Sequence, residues 1–167
     1  MIKITWFNGE VPNSLETHQV YGLVFTTDGR MLLKVEEEHG KKFFAPAGGT
    51  PENFDTDRIA TLRREMIEEV NTTLKDKIVM VGYQKIEGDN GKPPYAQVRM
   101  TAIIDKIGPV QPDPDNGKTY ERLLTSPEKA IQLMNWGEVG KAQIEEAVRL
   151  ARQELGLTTF SDVEEYV

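Results

Sequence analysis

Between Phe43 and Val70 the chain reads FFAPAGGTPENFDTDRIATLRREMIEEV, a Pro/Gly turn ahead of a helix whose last turns carry Arg64, Glu65, Glu68 and Glu69. Asp55 and Asp57 can cap free amide groups, which puts the helix start at 55–57. Ile59, Leu62, Met66 and Val70 recur at helical spacing and form a stripe for the core. Positions i, i+3 and i+4 lie together on a helix, so Glu65, Glu68 and Glu69 share one face beside that stripe. Like charges at the edge of a core repel at greater cost than in open water. Arg64 is one counter-charge and a divalent cation is a stronger one; a solvated acidic face is the plain alternative.

Oxygen-only ligands suit a hard ion, Mg²⁺ or Mn²⁺. The PAGG turn adds backbone groups with no side chain in the way, able to approach the same ion.

The rest of the chain supplies the setting. Two β-rich runs flank Asp28–Gly29, a hairpin signal. KIVMVGYQKI (77–86) and YAQVRMTAII (95–104) predict strands joined by the polar EGDNGKPP, and VQPDPDNGK is a loop before the short strand candidate YERLLT. Ser126-Pro127-Glu128 starts a helix, GKAQIEEAVRLARQELG forms an amphipathic one, and the residues from about 157 are expected to be a loose tail. The order of strands, helix, strands and helices predicts one mixed α/β (α+β) domain over 1–167 with a central sheet.

Composition narrows the function. With 167 residues there is room for one domain with a real core, and a net charge of −7 argues against a surface for nucleic acid polymers. A single nucleotide is compatible, because bound metal ions can screen its phosphates. The absence of cysteine removes disulfides, thiolate metal sites and a Cys nucleophile. No run is apolar enough for a signal peptide or a membrane span, so a cytoplasmic protein with no membrane partner is expected.

The hairpin, the P-x-G-G turn and the R-E-U-x-E-E helix (U apolar, here Met66) together resemble the Nudix hydrolase family, over about Tyr21 to Trp136. The family signature is G-x5-E-x7-R-E-U-x-E-E-x-G-U, and Arg64, Glu65, Met66, Glu68 and Glu69 match it. Asp55 stands where the family has Glu, eight residues rather than seven precede Arg64, and Asn71 and Thr72 replace the final Gly and apolar residue. Glu52, Asp55 and Asp57 are all open as stand-ins for the first signature Glu.

The resemblance implies a Nudix-like α/β/α sandwich around a mixed β-sheet. It also implies metal ligation by Glu65, Glu68 and Glu69, orientation of these acids by Arg64, and a backbone carbonyl ligand, for which Gly48 is the choice. The reaction implied is hydrolysis of a nucleoside diphosphate linked to another moiety, with modified nucleoside triphosphates and ADP-ribose as the two substrate classes. Glu68 is the first choice for general base and Glu121 the second. Phe44 could line a base pocket, although packing explains both Phe43 and Phe44 better; Arg99 could meet a phosphate but reads first as a surface cross-strand pair; Trp136 could stack on a base or seal the core. A homodimer is compatible with all of this. The alternative is a Nudix-fold module that binds a nucleotide without turning it over.

Overall fold

The computed structural model describes residues 1–167. In chain order it has strands β1 (Lys3–Asn8), β2 (Glu16–Gly22), β3 (Met31–Glu38), β4 (Lys41–Ala45) and β5 (Gly48–Gly49), then helix α1 (Arg58–Val70). Strands β6 (Thr72–Glu87), β7 (Tyr95–Ile107) and β8 (Glu121–Thr125) follow, then helices α2 (Pro127–Met134) and α3 (Gly137–Gln153), and finally β9 (Glu165–Tyr166). Strands β1-β6-β7-β2-β5 make a mixed sheet in which β2 runs parallel to β7. Strands β4-β3-β8-β9 make a second, antiparallel sheet.

The expected α/β/α sandwich is what forms. On one side of the mixed sheet Leu62, Met66 and Val70 of α1 join Val20, Val98 and Met100 in one apolar cluster. On the other, Ile144 and Ala147 of α3 and Ala130 of α2 join Leu23, Val81, Ile103 and residues of the second sheet. Ile59, expected in the stripe, is 37% exposed, in the first turn of α1. No helix is long and apolar enough to cross a membrane.

Two expectations are corrected. The Asp28–Gly29 turn forms, with Gly29 at φ +80° and the Thr26 amide donating to the Arg30 carbonyl over 2.8 Å, but no hairpin ladder follows. Pairing stops at Phe25 and Met31, after which β2 joins the mixed sheet and β3 the other. Val20, Leu23, Val24 and Phe25 are all buried, the mark of a chain covered on both faces rather than a one-faced hairpin. The long hairpin is β3–β4, turned by His39 and Gly40, both in the left-handed region that such two-residue turns require.

The residues after 157 are not loose. Phe160 packs edge-on against Phe25, Arg30 Nη1 donates to Glu165 at 2.8 Å, and β9 pairs with the edge strand β8. A polar tail becomes ordered here because β8 offers unpaired backbone groups and Arg30, whose Nε is held by Asp28, still has Nη1 to donate.

Candidate functional site

Helix α1 is held at both ends by its own sequence. Asp57 accepts from the Ala60 amide at 2.8 Å, and Asn71 closes the helix in the left-handed conformation, φ +45°. One consequence is that Asp57 is spent as the cap. Glu52 is exposed, and it is Asp55 that reaches Arg64, through Nε at 3.1 Å and Nη2 at 2.9 Å. The Thr61 hydroxyl and the Glu52 amide also donate to Asp55, and the Arg64 fork holds its carboxyl well below the usual carboxylate range. The shorter acid and longer loop thus still deliver a carboxylate to the arginine.

From that anchor Arg64 Nη1 reaches Glu65 at 3.0 Å and Glu68 at 3.1 Å, while Nη2 also donates to the Thr50 carbonyl. One guanidinium therefore orients three acids. Glu65 and Glu69 are each only 8% exposed, and Glu68 is half-buried at the edge, as helical spacing predicts. Burial lifts Glu65 to about 7; Arg64 opposes the rise, and Glu69 and Glu68 add to it.

Glu69 is pinned separately. Its Oε1 accepts from the Gly48 amide at 2.7 Å and its Oε2 from Lys34 Nζ at 2.6 Å. Burial works against the Lys34 charge, but Glu69 outweighs it and leaves the ammonium above its ordinary value. The Gly22 amide donates to the Ala47 carbonyl at 2.9 Å, which makes Tyr21 and Gly48 a non-hydrogen-bonded pair. Both backbone polar groups of Gly48 therefore face away from β2, and the amide is the one that takes Glu69. A Cβ on Gly49 would lie 2.5 Å from the Glu65 carboxyl carbon, so any other residue there would push that carboxylate out of place.

Sequence reasoning missed two acids. Asp113 and Asp115, on the loop before β8, bring carboxylate oxygens within 4.8 Å of each other and of Glu68. Burial raises the Glu68 pKa, Arg64 opposes the rise, and Asp115 and Asp113 add to it. Their signal was Asp-Pro-Asp in a Gly-containing loop, visible but readable as a plain connection. Glu121, the second choice for base, ion-pairs with Lys42 at 3.5 Å and takes no part in this group. Lys34 also left a trace, as a lone charge inside the apolar run MLLKV, where an unpaired ammonium would be costly.

Across the sheet from the acids lies a cavity of about 530 Å³. Tyr21, Arg99 and Trp136 line it with Lys34, Gln84 and Gln97, and no acidic side chain does. Arg99 is not a surface cross-strand pair. It is 3% exposed, because β7 is an interior strand covered on both faces. Its Nε donates to Gln143 at 2.9 Å and its Nη2 to Gln84 at 3.2 Å, and it lies 4.7 Å from the Tyr21 ring centre and 5.7 Å from that of Trp136. Nη1 has no partner. Phe44 does not line the cavity; it packs against the second apolar cluster, and Phe43, against the packing expectation, is exposed under Lys41. Tyr21 stands opposite Gly48 on one neighbouring strand and opposite Arg99 on the other, so the three form one row across the sheet.

No protein-family model and no curated protein sequence matches the chain. Solved structures do. The Bacillus subtilis pyrophosphohydrolase BsRppH is similar at 18% identity and a TM-score of 0.64, over 87% of this chain and 90% of that one. A NUDIX hydrolase from Nitrosomonas europaea is similar at 14% identity and a TM-score of 0.58, over 87% and 93%. The Ap4A hydrolase of C. elegans is similar at 15% identity and a TM-score of 0.56, over 83% and 99%. The fold of this chain is the Nudix hydrolase fold.

Proposed function

We propose that the chain is a divalent-metal-dependent pyrophosphohydrolase acting on a nucleoside diphosphate derivative, of the modified nucleoside triphosphate or the ADP-ribose class, in the cytoplasm. One observation carries the reading. Six carboxylates (Asp55, Glu65, Glu68, Glu69, Asp113 and Asp115) face two cations, Arg64 and Lys34, both already committed to hydrogen bonds. A site that stays this negative suits a hard dication with all-oxygen ligands. Glu65, Glu68, Glu69 and the Gly48 carbonyl are the residues that would hold Mg²⁺ or Mn²⁺. Once bound, such an ion stabilises charge on phosphoryl oxygens and makes a coordinated water more acidic.

This chain's own groups supply the rest. Arg64 fixes Glu65 and Glu68 relative to Asp55, and Lys34 and the Gly48 amide fix Glu69, so none needs to reorganise during the reaction. Glu68, raised in pKa and flanked by Asp113 and Asp115, would accept a proton from attacking water. Lys34 holds Glu69 against the Gly48 amide and keeps it turned toward the turn. The structural neighbours named pyrophosphohydrolase and Ap4A hydrolase support the reaction class.

The test is phosphate or nucleotide release with Mg²⁺ across nucleoside triphosphates, ADP-ribose, dinucleoside polyphosphates and nucleotide sugars. We expect Mg²⁺-dependent turnover of at least one, abolished by chelation. Turnover of none at high enzyme concentration overturns the proposal.

A further inference from the structure

We infer that the cavity around Arg99 reads an oxo-substituted purine, guanine or hypoxanthine in type, as the base of the substrate. This deepens the hydrolase reading and rests on it for the location of the pyrophosphate at the α1 acids.

The cavity lies beside that acidic site, with Lys34 common to both: it lines the cavity and bonds Glu69. A ligand can therefore span the two. Its walls select a flat ring. Tyr21 and Trp136 line it with aromatic rings, Ile4 and Val139 with apolar side chains, and the volume of about 530 Å³ accommodates a purine nucleoside. A second phosphate group is a poor occupant, because these apolar walls would strip its water while only two cations, one of them already paired, replaced it.

The polar groups then choose among bases. Arg99 is buried, charged, and without any carboxylate partner, and its Nη1 is an unsatisfied donor. Gln84 gives its oxygen to Arg99, which leaves its amide nitrogen to donate; Gln97 gives its nitrogen to Gln19, which leaves its oxygen to accept. An amide can turn over to suit adenine or an oxopurine. A guanidinium cannot, because it has no acceptor in any orientation. Adenine presents an amino donor at position 6, where an oxopurine presents an acceptor, and arginine against the O6/N7 edge is the commonest specific contact to guanine. With no acidic side chain on the cavity wall, nothing charged is there to welcome the adenine amino group.

The experiment compares inosine and adenosine nucleotides, which differ only at position 6 and the adjoining ring nitrogen. With Mg²⁺ and wild-type enzyme, we expect kcat/KM for inosine triphosphate to exceed that for ATP by at least ~10-fold, the discrimination that an unpaired buried donor imposes. Equal values, or a preference for ATP, in an enzyme that turns nucleotides over overturn the inference and leave the hydrolase reading standing.

Binding is followed separately. Trp6→Phe leaves Trp136 as the only tryptophan, and we expect inosine diphosphate to quench it at a lower concentration than ADP with metal chelated. If that preference holds while no nucleotide is hydrolysed, the cavity reading stands and the reaction class falls. Arg99→Met, in a folded variant, is expected to bring the inosine/adenosine ratio close to one, and an unchanged ratio overturns the role of Arg99. Should that variant fail to fold, the wild-type ratio decides alone.

Discussion

The two ends of the site carry opposite imbalances. Around α1, six acids share two cations, whereas around Arg99 one buried cation has no acid at all, and burial pulls its pKa down to about 10. Each arrangement is costly by itself, since an uncompensated charge away from water is among the most expensive groups in a protein. Together they fit the proposed ligand, phosphorylated at one end and acceptor-rich at the other. The stored imbalance also says which variants should act on chemistry and which on recognition.

The largest effects belong to the acidic end. Glu68→Gln and Glu69→Gln should each lower Mg²⁺-dependent turnover at least tenfold, and up to about a hundredfold, with the loss in kcat, since each removes a charged ligand. Full activity in either variant would break the assignment of the metal shell. Arg64→Met should cost about 3 kcal/mol in urea denaturation without metal, because it strands Asp55, Glu65 and Glu68. A stability equal to wild type would mean that the fork is ornamental.

Next comes pH. Glu65 titrates near 7 in the fold against an ordinary value of 4.5, so the folded chain keeps a proton that the unfolded chain has already lost. Its stabilising contribution is complete below about pH 4.5 and is lost as pH climbs through about 7. In chelator, the melting temperature should therefore fall between about pH 5 and about pH 8. Glu65→Gln should flatten that slope and regain roughly 1–2 kcal/mol at the upper end. An identical slope in the variant would show that some other group carries it.

The smallest effect belongs to the far end. Trp136→Ala should raise KM by about fivefold and leave kcat within about twofold of wild type, since it removes an aromatic wall and no acid. A matching loss of kcat would erase the division between chemistry and recognition.

How much of this could be read beforehand follows from the range of the interactions. Helix α1 was legible to within a few residues because its signals are local: an acidic cap at 55–57 and the apolar spacing, with only Ile59 falling outside the buried stripe. The glutamate face followed from the same periodicity. What escaped were partners brought in from distant segments. Asp113 and Asp115 meet Glu68 only after β6 and β7 have formed, and Lys34 meets Glu69 only through the Gly48 edge. Arg99 misled because alternation assumes a strand with one wet face, whereas β7 is buried on both along most of its length. The tail misled in the opposite way, since its order comes from distant partners: Phe25 for Phe160, β8 for β9, and Arg30 for Glu165.

The row formed by Gly48, Tyr21 and Arg99 works as a ruler. Neighbouring strands stand about 4.8 Å apart, so two steps fix the gap between the turn that faces the acids and the arginine at about 10 Å. Sheets stretch very little, and the Arg99 guanidinium is held by Gln143 and Gln84, so this gauge is set by the fold. On the proposed reading, a substrate whose anhydride and base lay at another separation would be disfavoured by length before any hydrogen bond is tried.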